Sequence, residues 1–226
     1  SCATCARSDQ NVDPVSLPTG EYWRTFDDFA FPGRGVPLSV SHTYSSTASS
    51  ADGPLGFGWS MGFLTVGLDV DPMSGQVTIT QENGSKVTFD EDPGSPGGYV
   101  PAKARTVAEL VLNGGGSWTY TESLTHRVFD FDSGGKLTTV SSEIGNTNAA
   151  TILGYSSGKL DTITDAAGRE LTFAWTGDRV TGITDNMTPS RSVTFSYDGN
   201  GDLVEWADVG GASWAFTYDT NHLLLT

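Results

Sequence analysis

Few groupings in this sequence have both the residue types and the spacing that chemistry needs. Its two cysteines, Cys2 and Cys5, stand as C-x-x-C, a spacing that serves a redox pair, half of a zinc site or a small local disulfide. A redox pair wants a strand-to-helix context, and zinc wants two more thiolates or a neighbouring imidazole. His42, His126 and His222 are scattered instead. A Cys2–Cys5 disulfide formed in an oxidising compartment is the preferred reading, with inert thiols, a bond to another segment, and metal or redox chemistry left open. Asp198-x-Asn200-x-Asp202 begins like a calcium loop, because oxygens on alternate residues can converge on a hard cation. It then departs from one, with Leu203 at the position of the loop's Gly and Val209 at that of its bidentate Glu. A hairpin turn in which Asp and Asn cap backbone amides is the preferred reading, with calcium the weaker candidate.

No histidine lies in a setting that suggests a general base, so no activated nucleophile is expected. Glu82, Glu122, Glu143 and Glu205 could pair as glycosidase carboxylates do, but abundant carboxylates without a cleft read as a solvated acidic face. Trp59, Trp118, Trp175, Trp206 and Trp214 could form a sugar-stacking platform. The regular placing of the last three near strand ends favours core packing, and Trp23 is undecided. The chain is therefore expected to be no enzyme and to need no cofactor.

Composition narrows the partners. With 12 Lys and Arg against 27 Asp and Glu, the net charge is −15, so phosphate backbones and anionic lipid are both repelled. Solubility is the simplest use for that acidity. No apolar stretch approaches the roughly 18 residues of a membrane helix, and Ser1-Cys2-Ala3-Thr4-Cys5 opens without a leader pattern, like the interior of a longer chain or a cleavage product. No nucleic-acid binding and no membrane insertion are expected.

The elements that must position these residues read as β throughout. Charged residues are only 17% of the chain, while 28 glycines and 11% aromatics suit short strands and tight turns. Residues 1–12 read as a flexible tail and 13–100 as an N-terminal antiparallel β domain. Its clearest hairpin alternates Val77 and Ile79 with threonines, turns at Asn83-Gly84 and returns through Val87 and Phe89. The Pro- and Gly-rich stretch 91–103 marks the expected internal boundary. Beyond it Leu110 and Leu112, a triple glycine, then Trp118 and Tyr120 make another period-two pair of strands.

Over 101–226 a repeat emerges. Aromatic strand ends fall at Phe131, Tyr155, Trp175, Tyr197 and Tyr218, spaced 24, 20, 22 and 21 residues apart. Five or six residues after each comes an aliphatic expected to open the next strand: Leu137, Leu160, Val180, Leu203 and Leu223. A second series of turns holds Asp165, Asp185 and Asp208. One hairpin cannot cover its own apolar face, so successive units of about 21 residues must add to one another and bury a continuous layer.

The repeat resembles the Rhs/YD-repeat family, whose units carry Tyr-Asp, a Gly and then an aliphatic. Tyr197-Asp198-Gly199-Asn200-Gly201-Asp202-Leu203 fits that pattern, Tyr218-Asp219 begins another copy, and Phe131-Asp132 is a looser one. The units at Tyr155 and Trp175 lack the Asp. Asp13–Glu21, Pro32–Ser46 and Gly53-Pro54-Leu55-Gly56-Phe57-Gly58-Trp59-Ser60 look like the domain that precedes such repeats. The resemblance implies an all-β fold in which the repeats form a spiralling sheet, the start of a hollow shell that houses or presents a C-terminal toxin or effector. It implies scaffold work by a secreted or surface protein. The expected partners are the chain's own further repeats or toxin beyond residue 226, or another chain pairing with an open sheet edge, with oligomers as one outcome. A surface adhesin or carbohydrate-binding β module is the alternative.

Overall fold

The computed structural model describes residues 15–16, 20–33, 36–103, 106–142 and 149–226. Cys2, Cys5 and Glu143 lie outside them, as does the 1–12 tail. Three strands, β1 (Trp23–Phe31), β2 (Leu38–Ser45) and β3 (Trp59–Met61), form a small sheet, followed by a single helical turn, α1 (Gly62–Thr65). Fifteen strands then follow in chain order as one antiparallel meander. They are β4 (Gly67–Val70), β5 (Val77–Thr80), β6 (Lys86–Glu91), β7 (Gly98–Pro101), β8 (Ala108–Leu112), β9 (Trp118–Glu122), β10 (Arg127–Phe131), β11 (Leu137–Ser141) and β12 (Thr151–Ser156). After these come β13 (Lys159–Thr164), β14 (Glu170–Thr176), β15 (Arg179–Asp185), β16 (Ser192–Tyr197), β17 (Leu203–Ala207) and β18 (Ser213–Ala215). The fold is all-β, as composition and periodicity require.

Two compact units result, neither a single stretch of chain: one of Ser1–Ala30, Ser39–Gly62 and Thr172–Thr226, the other of Phe31–Leu38 and Phe63–Leu171. In the second, strand alternation builds one apolar row. Tyr99, Leu110, Tyr120, Phe129 and Val140 stand opposite one another on successive strands. On the reverse face the Asp130 carboxylate accepts the hydroxyls of Thr119 (2.8 Å) and Thr139 (2.7 Å) from the strands on either side. The hairpin at Asn83-Gly84 has the expected register, Val77 opposite Phe89 and Ile79 opposite Val87, with Gly84 at φ 78°. The Pro- and Gly-rich run after β6 is a turn within the meander: Asp92 N–H donates to Gly98 O, and Glu91 faces Tyr99. In the first unit, Phe195, Trp206 and Trp214 make the corresponding row.

The repeat has a definite mechanical form. Phe131, Tyr155 and Tyr197 stand opposite Leu137, Leu160 and Leu203, each just after a bulge that bends the strand into its turn. The Asp after the aromatic clamps that turn. Oδ1 of Asp132 accepts the amides of Gly134 and Lys136, and Oδ1 of Asp198 those of Asn200 and Asp202. Oδ1 of Asp219 takes those of Asn221 and Leu223. Asp165 and Asp208, in the second series, grip the amides two and four residues on in the same way. Each tyrosine then reaches back one repeat: Tyr155 donates its hydroxyl to Leu137 O (2.7 Å), Tyr197 to Val180 O (2.6 Å) and Tyr218 to Leu203 O (2.7 Å). Burial, with Asp132 nearby, pushes the Tyr155 phenol up to about 12, and burial raises Tyr197 and Tyr218 as well. All three stay hydroxyl donors at physiological pH.

The last repeat corrects one expectation. Leu223 opens no strand and is 36% exposed, and Tyr218 bridges Leu224 instead. The Asp-clamped turns at Phe131 and Tyr197 set the partner six residues on, and Asp219 imposes that same length here.

Turn glycines provide a test. Gly135 (φ 81°) and Gly84 (φ 78°) have similar backbones, but a Cβ on Gly135 would collide with Leu68 O whereas one on Gly84 meets nothing within 4 Å. Gly84→Ala should cost about 1 kcal/mol, the penalty of a left-handed Ala alone. Gly135→Ala should cost about 3 kcal/mol or more, because backbone must move as well. Urea unfolding of the two variants measures the difference.

Candidate functional site

The block Asp52–Trp59, joining the first unit's small sheet into β3, runs across three successive repeat turns of the same unit. At the first, Arg179 pairs with Asp52 (2.7 Å) and donates to Gly53 O (2.8 Å), while Val180 N–H donates to Pro54 O (2.9 Å). At the second, Gly56 (φ 88°) lies so close that a Cβ would stand 2.6 Å from Gly201 O, which is the physical reason for glycine there. At the third, Phe57 stacks on His222 with ring centroids 3.7 Å apart and planes 10° from parallel. Trp59 Nε1–H donates to the Tyr218 hydroxyl (2.8 Å). Tyr44, from β2, donates to His222 O (3.0 Å) and accepts from the Leu224 amide (2.9 Å). Gly58 (φ 76°) admits the Tyr44 ring, which a Cβ would meet at 2.6 Å. The block is a strap, and its glycines mark where backbone meets backbone or ring.

Beneath the strap lies an ionisable pair. His42 Nδ1 and Asp28 Oδ2 are 2.9 Å apart, both side chains are wholly buried, and Phe26, Trp59, Phe195 and Trp206 enclose the imidazole at ring distances of 5.0 to 5.4 Å. Burial pushes the Asp28 carboxyl above its usual range, opposed by His42. A charge in such a box survives only with its partner present, so the pair fixes how β1 and β2 meet β16 and β17. Sequence reasoning missed it, and it also passed over two Gly-x-Ser-x-Gly strings, Gly58–Gly62 and Gly154–Gly158. Ser60 of the first sits opposite Thr43, while His42 sits opposite Met61. The strand pleat thus puts Ser60 and His42 on opposite faces, and the Asp28–His42 pair does not serve that hydroxyl. Ser156 of the second string is paired in register with Lys159 at a hairpin end.

The other candidates take structural places. Asp198 Oδ1 is filled by two amides, its Oδ2 accepts from Asn200 Nδ2 (3.2 Å), and the Asp202 carboxylate accepts from His222 Nδ1 (2.8 Å). Among the described residues no group of three or more His, Cys, Asp or Glu is placed to hold a metal ion. Glu82 is held in a fork by Arg127 (2.6 and 2.7 Å), Glu122 accepts from Gln81 (3.1 Å) and Thr125 (2.7 Å), and Glu205 is exposed. Trp59, Trp118 and Trp206 are core residues, Trp23 and Trp175 are half-buried, and Trp214, stacked on Trp206 at 4.5 Å, is 37% exposed.

Hairpins joined turn to turn and strapped by an N-terminal block define a β-hairpin repeat protein. Residues 197–226 match the family model described as RHS Repeat, and residues 12–89 match Domain of unknown function (DUF6531). The match over 197–226 supports the Rhs/YD-repeat resemblance of Tyr197–Leu203, and the match over 12–89 is consistent with a domain that precedes such repeats. No curated protein matches it. No helix among the described residues is long and apolar enough to cross a membrane.

The Asp28 shift has a definite sign. Its folded pKa lies above the ordinary 3.8, so the folded chain binds this proton more tightly than the unfolded one. That contribution is fully present below pH 3.8 and is lost as pH rises through the raised value, where a buried charge must be kept. Asp28→Asn removes the titration and retains an oxygen for His42. The variant should gain thermal stability relative to the parent as pH rises from 4 to 7, which melting curves across that range would show.

Proposed function

We propose that this chain is a non-catalytic scaffold, the beginning of an Rhs-type β-shell that houses or presents a C-terminal toxin or effector outside the cell or at its surface. The observation that carries the reading is the strap. Asp52–Trp59 engages three consecutive repeat turns, an arrangement suited to holding neighbouring turns of a hairpin array together. Its aromatics are consumed by packing and its glycines by close approach. The buried carboxylate that burial raises, Asp28, is enclosed with His42 by aromatic rings, whereas catalysis needs such a group to face a cleft.

The expected partner is a further strand. β18 ends the order of the meander, next to β17, and its Trp214 continues the apolar row of Phe195 and Trp206 with 37% of its surface exposed. An edge of this kind is completed by the chain's own further repeats, or by a strand from another chain. Reading the parent gene past Thr226 tests the proposal: further Tyr-Asp repeats leading to an unrelated domain are expected. A stop codon, or an enzyme domain following directly with no further repeats, would overturn it.

A further inference from the structure

Turn-to-turn contacts in this chain follow a positional rule. At three places the residue immediately before a strand-opening aliphatic reaches forward to the positive-φ residue of the next turn. Lys136, before Leu137, donates to Gly158 O (3.2 Å), with Gly158 at φ 83°. Arg179, before Val180, reaches Gly201 O (3.4 Å), with Gly201 at φ 88°. Each cation also lies over the next repeat's tyrosine, Lys136 over Tyr155 at 5.4 Å and Arg179 over Tyr197 at 5.8 Å. Asp202, before Leu203, is the exception in charge. The next turn matches it, because His222 (φ 61°) stands where the other turns have glycine and brings its Nδ1 to the Asp202 carboxylate at 2.8 and 3.0 Å.

A non-glycine residue in this left-handed region is held there against its own preference. Three contacts hold His222: the buried Asp202 carboxylate, the Phe57 ring, and Tyr44 on its carbonyl. Turns that are otherwise alike can be confused by a slip of one repeat, as with any weakly specified register. A cation reaching a glycine carbonyl is interchangeable between turns, whereas a carboxylate reaching an imidazole is not.

We propose that Asp202 and His222 are a register-determining pair, which singles out the third turn as the one that Phe57 and Trp59 of the strap must engage. This rests on reading the chain as a hairpin scaffold. The test is a double-mutant cycle in the full chain with His222→Gly, Asp202→Arg and both together, the double variant rebuilding the kind of contact that Arg179 makes with Gly201. Amide exchange at Leu224, whose N–H is bonded to Tyr44, reports engagement of the third turn.

Each single substitution should speed that exchange by about tenfold or more, and the double should recover most of the loss between turns, a coupling well beyond additivity. His222→Gly that slows exchange, or singles whose effects simply add in the double, would overturn the pair. His222→Gln is the check against misfolding: it keeps a side-chain donor for Asp202 and loses the stack on Phe57, so its exchange should lie between parent and His222→Gly. Equal exchange in the Gln and Gly variants also counts against the pair. If amide protection outside 216–226 is retained throughout, the scaffold reading stands whatever the cycle shows, whereas its general collapse in all variants would count against both.

Discussion

A β-hairpin of about twenty residues is too small to stand alone in water, and the bond that overcomes this here is the tyrosine hydroxyl given to a carbonyl one repeat back. Tyr155, Tyr197 and Tyr218 make it to Leu137, Val180 and Leu203. Each bond lies at the turn end of a hairpin, where ladder hydrogen bonds run out and backbone carbonyls would otherwise lack partners. The ring covers apolar surface while its hydroxyl satisfies a carbonyl, which phenylalanine cannot do. A bulge precedes both Tyr155 and Tyr197, and at Tyr197 the Asp198 clamp follows it, so the bend of the strand aims the ring at the preceding repeat with or without the clamp.

In the first unit, tethering between neighbours is reinforced from outside the repeats, by the strap on three successive turns and by the Asp28–His42 box beneath it. The two work differently. The strap depends on absence, with Gly56 and Gly58 leaving room for Gly201 and the Tyr44 ring. The box depends on a hydrogen-bonded Asp–His pair surrounded by Phe26, Trp59, Phe195 and Trp206. Shape and hydrogen bonding thus select the same docking twice.

What was legible in the sequence is what is local. The register of Val77 with Phe89 follows from alternation and Asn83-Gly84 alone, and the repeat shows because aromatic, turn and aliphatic recur in step. The strap's partners were illegible because Arg179 meets Gly53 across 126 residues and Tyr44 meets His222 across 178. Its glycines were visible as a motif without the surfaces they approach. Asp28 and His42 lie 14 residues apart in sequence, and only the sheet shows both buried against one another. Leu223 was misplaced by one residue because the Asp clamp, not the aliphatic, sets turn length, and that distinction lies in hydrogen bonds that residue types do not display.

The chain's acidity also has a more specific meaning than solubility. Asp71, Asp92, Asp132, Asp165, Asp185, Asp198, Asp208 and Asp219 each accept backbone amides of their own turn. A neutral Asn could fill that place, but an ionised oxygen accepts these bonds more strongly, and the carboxyls of Asp71 and Asp219 are held below their usual range mainly by those amides. At Asp198 burial pushes the other way, and the amides of Asp202 and Asn200 outweigh it. A fold made of turns therefore accumulates negative charge as it accumulates repeats. Few lysines and arginines offset it, and several of those, Lys136, Arg169, Arg179 and Arg191 among them, are engaged at the same turns. The charge of −15 is largely the consequence of how this backbone reverses direction.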